Sequence, residues 1–194
     1  MIVVLLFGVV ILTGCKQGAD PQPVPVPPSQ LLTNLDMEAG SGAQPNSWWL
    51  GPFASDTTTA WTTEESSSAA HSLELRSTVS DTSELSWGQT YQGITPVGKD
   101  VTLTIKIKGK NIIGNGVAIA LRADDTSIPV SYTEVIDFNT TERTTKIDGT
   151  FDWTSYSVQL TNVSPYTKSI SVFLILLPHT VGKVYFDDAQ LTLD

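Results

Sequence analysis

The sequence predicts an all-β protein built as a β-sandwich. Apolar residues alternate with polar ones along most segments that carry them, which is the period of two of a half-buried strand. No segment of ten residues shows a convincing helical period of 3.6. Clusters of Gly, Pro, Asn and Asp separate the alternating segments at short intervals, as turns do between the strands of a sandwich or a barrel.

The alternation locates individual strands. Residues 101–108 (VTLTIKIK) place four branched apolar side chains on one face and threonines and lysines on the other, so we expect a strand whose lysines face water. Ser169–Leu177 (SISVFLILL) is apolar on both faces, as a central strand between two layers would be. Three shorter segments repeat the alternation: Leu73–Leu75, Val117–Leu121 and Tyr156–Leu160. Turns are predicted at Asn111–Gly116 (NIIGNG), Ser127–Pro129 and Thr161–Pro165.

An apolar segment opens the chain and ends near its single cysteine. Met1–Leu12 (MIVVLLFGVVIL) is too short, at about 1.5 Å per helical residue, to cross a hydrocarbon core about 30 Å thick, and it matches the apolar part of a secretory signal. Together with Leu12, the following Thr13, Gly14 and Cys15 resemble the lipobox of bacterial lipoproteins. That resemblance implies cleavage after residue 14, acylation of Cys15 and a lipid anchor in the bacterial cell envelope, at the outer membrane or the cell surface.

A proline-rich segment separates this anchor from the rest of the chain. Residues 16–30 (KQGADPQPVPVPPSQ) contain five prolines, a density that favours an extended polyproline II spacer. The predicted organisation is therefore a signal peptide at 1–14, a lipidated cysteine with its linker at 15–30, and one domain at 31–194. These 164 residues are enough to bury a substantial core.

Charge excludes some classes of partner. The formal net charge is -9 at pH 7 and the pI is about 4.5. Nucleic acids and anionic lipid surfaces require a basic face that neutralises phosphates, so the sequence argues against both of them as partners of the domain. A neutral ligand or a cation fits this composition better, and oligomeric state is left open.

Catalytic motifs are sparse. The two histidines, His71 and His179, belong to no zinc-binding or nucleophile motif. Glycoside hydrolysis uses paired carboxylates, but the pairs Asp124–Asp125 and Asp187–Asp188 are adjacent in sequence, so in strands their side chains would point to opposite faces. A pair assembled from distant strands stays open. We expect a protein that is not an enzyme.

Four segments, in order, resemble the β-jelly-roll carbohydrate-binding modules of the family 4 and family 9 type, which share the galactose-binding-like fold. The opening segment contains Asn34, Met37 and Glu38 before a Gly/Pro loop that leads into tryptophan, and the closing segment carries the pair Asp187–Asp188. The segments are Leu31–Trp49, His71–Leu75, Phe151–Leu160 and Gly182–Asp194. The resemblance implies the jelly-roll fold over residues 31–194 and a carbohydrate (glycan) partner.

A second resemblance covers part of the same domain. Val101–Ile112 and Ile147–Leu160 are similar to a jelly-roll module appended to some erythromycin esterase-like proteins, and this likeness implies no particular ligand.

Calcium is the cofactor that the first resemblance implies. Modules of this type often hold a structural calcium ion between the opening loop and the closing strand, and the resemblance assigns Glu38 and Asp187 as its ligands. In an unbroken closing strand, Asp187 shares a face with apolar residues, whereas a bulge at the aspartate pair would place Asp188 there instead. An inward carboxylate must be paired, hydrogen-bonded or metal-bound. The alternative is that Asp187 accepts backbone N–H bonds and Glu38 caps a turn.

Aromatic side chains are the candidate sugar-binding residues, because rings stack on pyranose faces while amides bond the hydroxyl groups. Trp87, Gln89 and Tyr91 share one face of a predicted strand, and we assign them to a glycan platform; because Leu85 shares that face, the core is the alternative. The family resemblance makes Trp49 and Trp153 structural. Three further rings are expected at the rim of the site: Trp48, Trp61 and Tyr132.

Three functions remain open on these observations. The first is an envelope lipoprotein with a non-catalytic module that binds a poly- or oligosaccharide. The second is a structural or protein-binding module of the same fold without a sugar site, and the third is a glycan-processing enzyme. Exposed aromatic clusters would favour the first, a featureless polar face the second, and facing carboxylates from two strands the third.

Overall fold

The computed structural model describes residues 30–129 and 132–194, so the predicted signal segment, Cys15 and nearly all of the proline-rich linker lie outside the described residues. Apart from two short 3-10 helices, Tyr132–Glu134 and Thr141–Arg143, the regular structure of this part is β. None of its helices is long and apolar enough to cross a bilayer. The strands are β1 (Gly40–Ser41), β2 (Gln44–Pro45), β3 (Trp49–Leu50), β4 (Thr59–Thr62), β5 (Ser72–Ser77), β6 (Leu85–Tyr91), β7 (Val101–Asp124), β8 (Val135–Thr140), β9 (Ile147–Leu160), β10 (Ser169–Leu176) and β11 (Val181–Leu193).

Two layers form because the long strand β7 belongs to both of them. Its first part pairs with β11 and β9, and its second part pairs with β10 and β8. Layer 1 therefore has the order β4-β5-β11-β7-β9, and layer 2 has the order β3-β6-β10-β7-β8, with all pairs antiparallel. The predicted all-β sandwich of the jelly-roll type is confirmed.

The passage of β7 between the layers lies where a turn was predicted. Residues 111–116 do not end the strand; the chain bends there, and the register of its pairing with β9 shifts. Asn111, Gly114 and Gly116 adopt positive φ values of 52°, 117° and 96°, and a Cβ at Gly114 would overlap the backbone of His179. The glycines were recognised correctly as breakers of a regular strand, but they bend this one instead of terminating it.

The core lies between the two layers and follows the predicted alternation. In the first part of β7, Val101, Leu103, Ile105 and Ile107 are each 0% exposed. Apolar residues of layer 2, from β6, β10 and the second part of β7, pack in the same core. The Trp87 indole spans the core, since its Nε1 donates to the backbone oxygen of Glu74 in layer 1 over 3.1 Å.

A bulge in the closing strand β11 changes which of its side chains face the core. The pairing of β11 with β7 shifts register between Asp187 and Gln190, and Asp188 adopts a φ of 51°. Before the bulge, Phe186 faces the core opposite Ile107, whereas Tyr185 and Asp187 face away from it. The expectation that Asp187 shares a face with the core residues of this strand is therefore wrong. It is buried on the outer face of layer 1, beneath the segment 63–71.

Candidate functional site

A groove of about 880 Å³ crosses the outer face of layer 2, the face turned away from the core. Its floor consists of the outward residues of β6, β10 and the second part of β7, and its walls come from the loops around residues 52–53, 82–84 and 128–129. Aromatic and polar side chains are mixed along it. The residues that line it include Trp49, Phe53, Glu84, Ser86, Thr90, Gln92, Arg122, Ser171 and Phe173.

Trp49 is the exposed ring at one end of this floor. Strand β3 pairs with β6 so that Trp49 lies opposite Gly88, and a Cβ on that glycine would overlap the indole. The ring therefore packs against the backbone of β6 at Gly88, and it meets Phe173 edge to face with centroids 5.5 Å apart at 79°. The residue stays 37% exposed, so part of a tryptophan that is packed on two sides is accessible from the groove.

Arg122 supplies a positive charge on the β7 side of the floor. Its Nε donates to Oδ2 of Asp124 over 2.9 Å, and its guanidinium lies 5.7 Å from the centroid of the Phe173 ring. Asp124 is completely buried, and burial raises the pKa of its carboxyl. Within the described residues the two Nη groups of Arg122 have no hydrogen-bond partner, so their N–H donors are available to a molecule in the groove.

The remaining polar groups are arranged along the same strands. The hydroxyl groups of Thr90 and Ser171 bond each other over 2.9 Å, and Gln92 donates through Nε2 to the backbone oxygen of Ser127. Glu84 stands on the wall, where burial, followed by the charge of Glu142, raises the pKa of its carboxyl. The groove therefore offers hydrogen-bond donors and acceptors between its rings.

The platform predicted on β6 lies on the wrong face of the right strand. Trp87 is 1% exposed in the core, and the amide of Gln89 is occupied by Thr33, which donates to Oε1 over 2.8 Å and accepts from Nε2 over 3.0 Å. Tyr91 packs its ring against the core and donates its hydroxyl to the backbone oxygen of Ile94. These three side chains hold the fold, and a sugar has no access to the Trp87 ring.

The two adjacent tryptophans exchange the roles predicted for them. Trp48, expected at the rim, is 4% exposed and donates through Nε1 to the backbone oxygen of Asn34, whereas Trp49, expected to be structural, is the exposed ring. Trp153 is half-buried on β9.

Of the other two rings expected at the rim, one lies away from the groove and the other lies outside the described side chains. Trp61 lies in layer 1, stacked on His71 with centroids 4.2 Å apart and bonded to the backbone oxygen of Met37, so it is remote from the groove. The side chain of Tyr132 lies outside the described part of the chain.

The residues proposed for calcium hold a loop instead. Asp187 accepts from the backbone N–H groups of Ser67 and Ser68 over 2.7 and 2.9 Å and from that of Asp188 over 2.7 Å. Glu38 accepts through Oε1 from the N–H groups of Ala70 and His71, and its Oε2 lies 3.1 Å from Nδ1 of His71. Both carboxylates thus fasten the segment 63–71, which we call the strap, onto layer 1.

A calcium ion does not fit this arrangement. The N–H donors occupy the positions around the carboxylate oxygens that a cation would need, and the Nζ of Lys106 already lies 2.9 Å from Oδ2 of Asp188. Within the described residues no group of three or more His, Cys, Asp or Glu side chains is placed to hold a metal ion. Calcium remains a prediction from the resemblance alone, and no step below depends on it.

Ion pairs complete the attachment of the strap. Lys110 lies 2.6 Å from Glu65 and 3.2 Å from Glu64, and Lys183 lies 2.9 Å from Glu64. The hydrogen bond from Lys183 is the main cause that lowers the pKa of Glu64 to about 2. Beneath these pairs Tyr185 is completely buried. The outer face of layer 1 is therefore covered where the strap crosses it, while the outer face of layer 2 is open.

Sequence reasoning missed Phe173, Phe53 and Arg122 as groove residues. Phe173 had a usable signal, because it is a large ring on the second apolar face of SISVFLILL, and a strand of an outer layer needs only one apolar face. Arg122 had a weaker one, since it is a charge between the alanines and leucines of β7. Phe53 lies in a loop without periodicity, so the sequence offers no signal for it.

Comparison with known proteins gives likeness of structure only. No family model and no curated protein matches the chain. Among solved structures, the chain is similar to TmCBM61 in complex with β-1,4-galactotriose, with a TM-score of 0.53 and 13% identity over 85% of this chain and 99% of that one. The chain and this carbohydrate-binding module share a β-sandwich fold. A family 4 module has the same fold, with a TM-score of 0.52 and 15% identity over 84% of this chain and 99% of that one. A sugar-binding protein from Bacteroides thetaiotaomicron has it too, with a TM-score of 0.59 and 15% identity over 85% of this chain and 100% of that one.

Longer proteins contain the same domain as a part. The chain is similar to a tailspike protein of bacteriophage CBA120 (TM-score 0.58, 14% identity) and spans 86% of its own length but 22% of the tailspike chain. The chain is also similar to an α-L-arabinofuranosidase, with a TM-score of 0.62 and 14% identity over 85% of this chain and 26% of that one. At such low identity these matches establish the shared fold and leave the function to the site.

Proposed function

We propose that this protein is a non-catalytic carbohydrate-binding module that holds a neutral poly- or oligosaccharide in the groove of layer 2. The observation that carries the proposal is Trp49, a ring held against Gly88 and Phe173 that stays 37% exposed in the groove. Such a ring stacks on the apolar face of a pyranose, and the flanking Arg122 and Gln92 can bond its hydroxyl groups. The sugar-binding modules of similar fold support the same function.

The groove favours binding over the two alternatives. Of the two carboxylates nearest the floor, Glu84 lines the wall, and Asp124 is buried in its pair with Arg122. Glycoside hydrolysis needs two carboxyl groups that flank one bond, and the described lining does not present such a pair. A module without a sugar site would not need an exposed tryptophan beside a half-buried phenylalanine on one face.

The full chain tests this proposal against a panel of soluble polysaccharides that includes β-1,4-galactan, xylan and glucomannan. We expect at least one to bind, and Trp49→Ala to weaken that binding about thirtyfold, which is the loss of about 2 kcal/mol of ring contact. Trp61→Ala is the matched control, because it removes a half-buried tryptophan from the opposite layer. Equal binding by the parent and Trp49→Ala would refute the site, and no binding on the panel would favour the structural alternative.

We also propose that the module is anchored in the bacterial envelope by acylation of Cys15. The support is the segment Leu12–Cys15 and the apolar run before it. Cys15→Ser should release the protein from the membrane fraction and abolish incorporation of labelled lipid. Continued membrane attachment of the variant would disprove the anchor.

A further inference from the structure

An apolar side pocket of about 410 Å³ opens beside the groove. Its walls are Val135 and Phe138 on β8 and Phe173 and Ile175 on β10, and it shares Arg122 with the groove. Phe138 lies directly opposite Arg122 in the pairing of β7 with β8, and it stays 38% exposed. The pocket thus combines apolar walls with a charged donor at its boundary with the groove.

Bare pyranose rings do not explain these walls. Sugar hydroxyl groups need polar partners, and the groove supplies them along β6 and β10, whereas the side pocket offers mainly carbon surface. A substituent that fits must present an apolar end to Phe138 and Val135. It must also present an acceptor to Arg122, whose Nη groups have no partner within the described residues.

We infer that the groove recognises an acylated glycan, with an acetyl substituent in the side pocket and its carbonyl oxygen on Arg122. This inference rests on the proposed carbohydrate-binding function and adds the class of sugar that is bound. An acetyl ester has the required parts, a methyl group and a carbonyl acceptor without charge. A carboxylate substituent fits less well, because Glu84 lies on the same wall and would repel it.

Asp124 is the positioning residue of this arrangement. It accepts from Nε of Arg122 and is itself completely buried, so it directs the other nitrogens of the guanidinium away from the strand. The guanidinium lies over the Phe173 ring, which fixes it on one side. The donor is therefore held in place before the ligand arrives, which lowers the entropic cost of binding.

The test compares native acetylated xylan and acetylated glucomannan with the same preparations after alkaline deacetylation, each titrated with the full chain. We expect about tenfold tighter binding of an acetylated form, from one buried methyl group and one hydrogen bond. Phe138→Ala should remove this preference and leave the affinity for the deacetylated form unchanged. Val135→Phe, which fills the pocket, should remove the preference as well.

Trp49→Ala separates the inference from the function on which it rests. Because Trp49 lies in the groove and outside the side pocket, its loss should weaken both forms of the glycan by the same factor. Equal affinity for acetylated and deacetylated glycan, with both lost in Trp49→Ala, would overturn the acyl inference and keep the proposed function. Failure of all four preparations to bind would overturn the acyl inference, and failure of the whole polysaccharide panel would overturn the proposed function as well.

Discussion

The two outer faces of the sandwich differ in what covers them, although the same strand β7 contributes to each. In layer 1 its outward residues are Lys106, Lys108 and Lys110, and carboxylates of the strap and of neighbouring strands pair with them. In layer 2 its outward residues include two alanines, Arg122 and the buried Asp124. The lysines of layer 1 bind the covering segment, whereas the alanines of layer 2 leave room above the sheet for rings and a ligand.

Different contacts cover the outer face of layer 1 and leave the outer face of layer 2 open. Backbone N–H groups of the strap are satisfied by Asp187 and Glu38, so the segment lies on the sheet without strand pairing. On the opposite face Gly88 and the alanines of β7 have small side chains or none, which leaves space above the sheet. Trp49 and Phe173 pack against each other in that space.

Loss of Trp87 should have the largest effect on stability. Trp87→Ala removes a ring that is 1% exposed and that bonds to Glu74 across the core, so we expect a cost of roughly 3–5 kcal/mol in the free energy of unfolding. Trp49→Ala, on the open face, should change it by less than about 1 kcal/mol. Chemical denaturation of both variants measures the contrast, and a greater loss in Trp49→Ala would reverse our assignment of core and groove.

These two tryptophans also show how far the sequence leads. The alternation in residues 101–108 predicted both the strand and its buried face, because four successive positions obey one period. At β3 only two residues form the strand, so no period fixes which of Trp48 and Trp49 points inward. On β6 the alternation predicted the strand but left open which face is buried, and the alternative in which Leu85 and Trp87 face the core is correct.

The closing strand was harder for a different reason. A bulge adds a residue without changing the local composition, so GKVYFDDAQLTLD is compatible both with unbroken alternation and with a bulge at the aspartate pair. The register shift after Asp187 places Phe186 before it, and Ala189 and Leu191 after it, on the core face. The partners of Asp187 come from the strap, 119 and 120 positions away, and local pattern holds no information on such contacts.

Asp187→Ala should have the next largest effect. It leaves three backbone N–H groups without their acceptor in a buried place, and we expect a cost of about 3 kcal/mol. Hydrogen exchange should locate the change, with protection lost at Ser67 and Ser68 and kept in β10. Unchanged exchange in the strap would show that Asp187 does not hold it.

Acid should loosen the strap and spare the groove. The pKa of Glu64 is lowered to about 2, mainly by its hydrogen bond from Lys183, so its stabilising contribution is present above the ordinary value and is lost as the pH falls from about 4.5 towards 2. The pKa of Glu84 is raised by burial, so this carboxyl takes up its proton at a higher pH than an ordinary glutamate does, and its protonation relieves the cost of a buried charge.

Hydrogen exchange at pH 3 and pH 6, corrected for intrinsic rates, measures this difference between the faces. Protection should fall in residues 63–71 at the lower pH, and Glu64→Gln should show less change between the two values. Equal loss of protection in β10 and in the strap would mean that acid acts on the whole fold.

Chelation should have no effect, which is the smallest of these expectations and separates the structure from the resemblance. The oxygens of Asp187 and Glu38 already accept N–H donors, so removal of divalent metal leaves their partners intact. The melting temperature should be the same in excess chelator and in millimolar calcium. A rise with calcium that chelator reverses would reinstate the metal site, because a ligand bound only by the folded state stabilises it.

We expect the glycan to bind on the outer face of layer 2, and nuclear magnetic resonance mapping can locate the bound face. Titration of the isotope-labelled full chain with the most tightly binding oligosaccharide of the panel should shift the indole N–H of Trp49 and the backbone N–H signals of Phe173 and Arg122. The indole N–H of Trp87 and the signals of residues 63–71 should move little. Shifts concentrated in the strap or on β9, with the Trp49 indole unchanged, would show that the glycan binds outside the groove of layer 2.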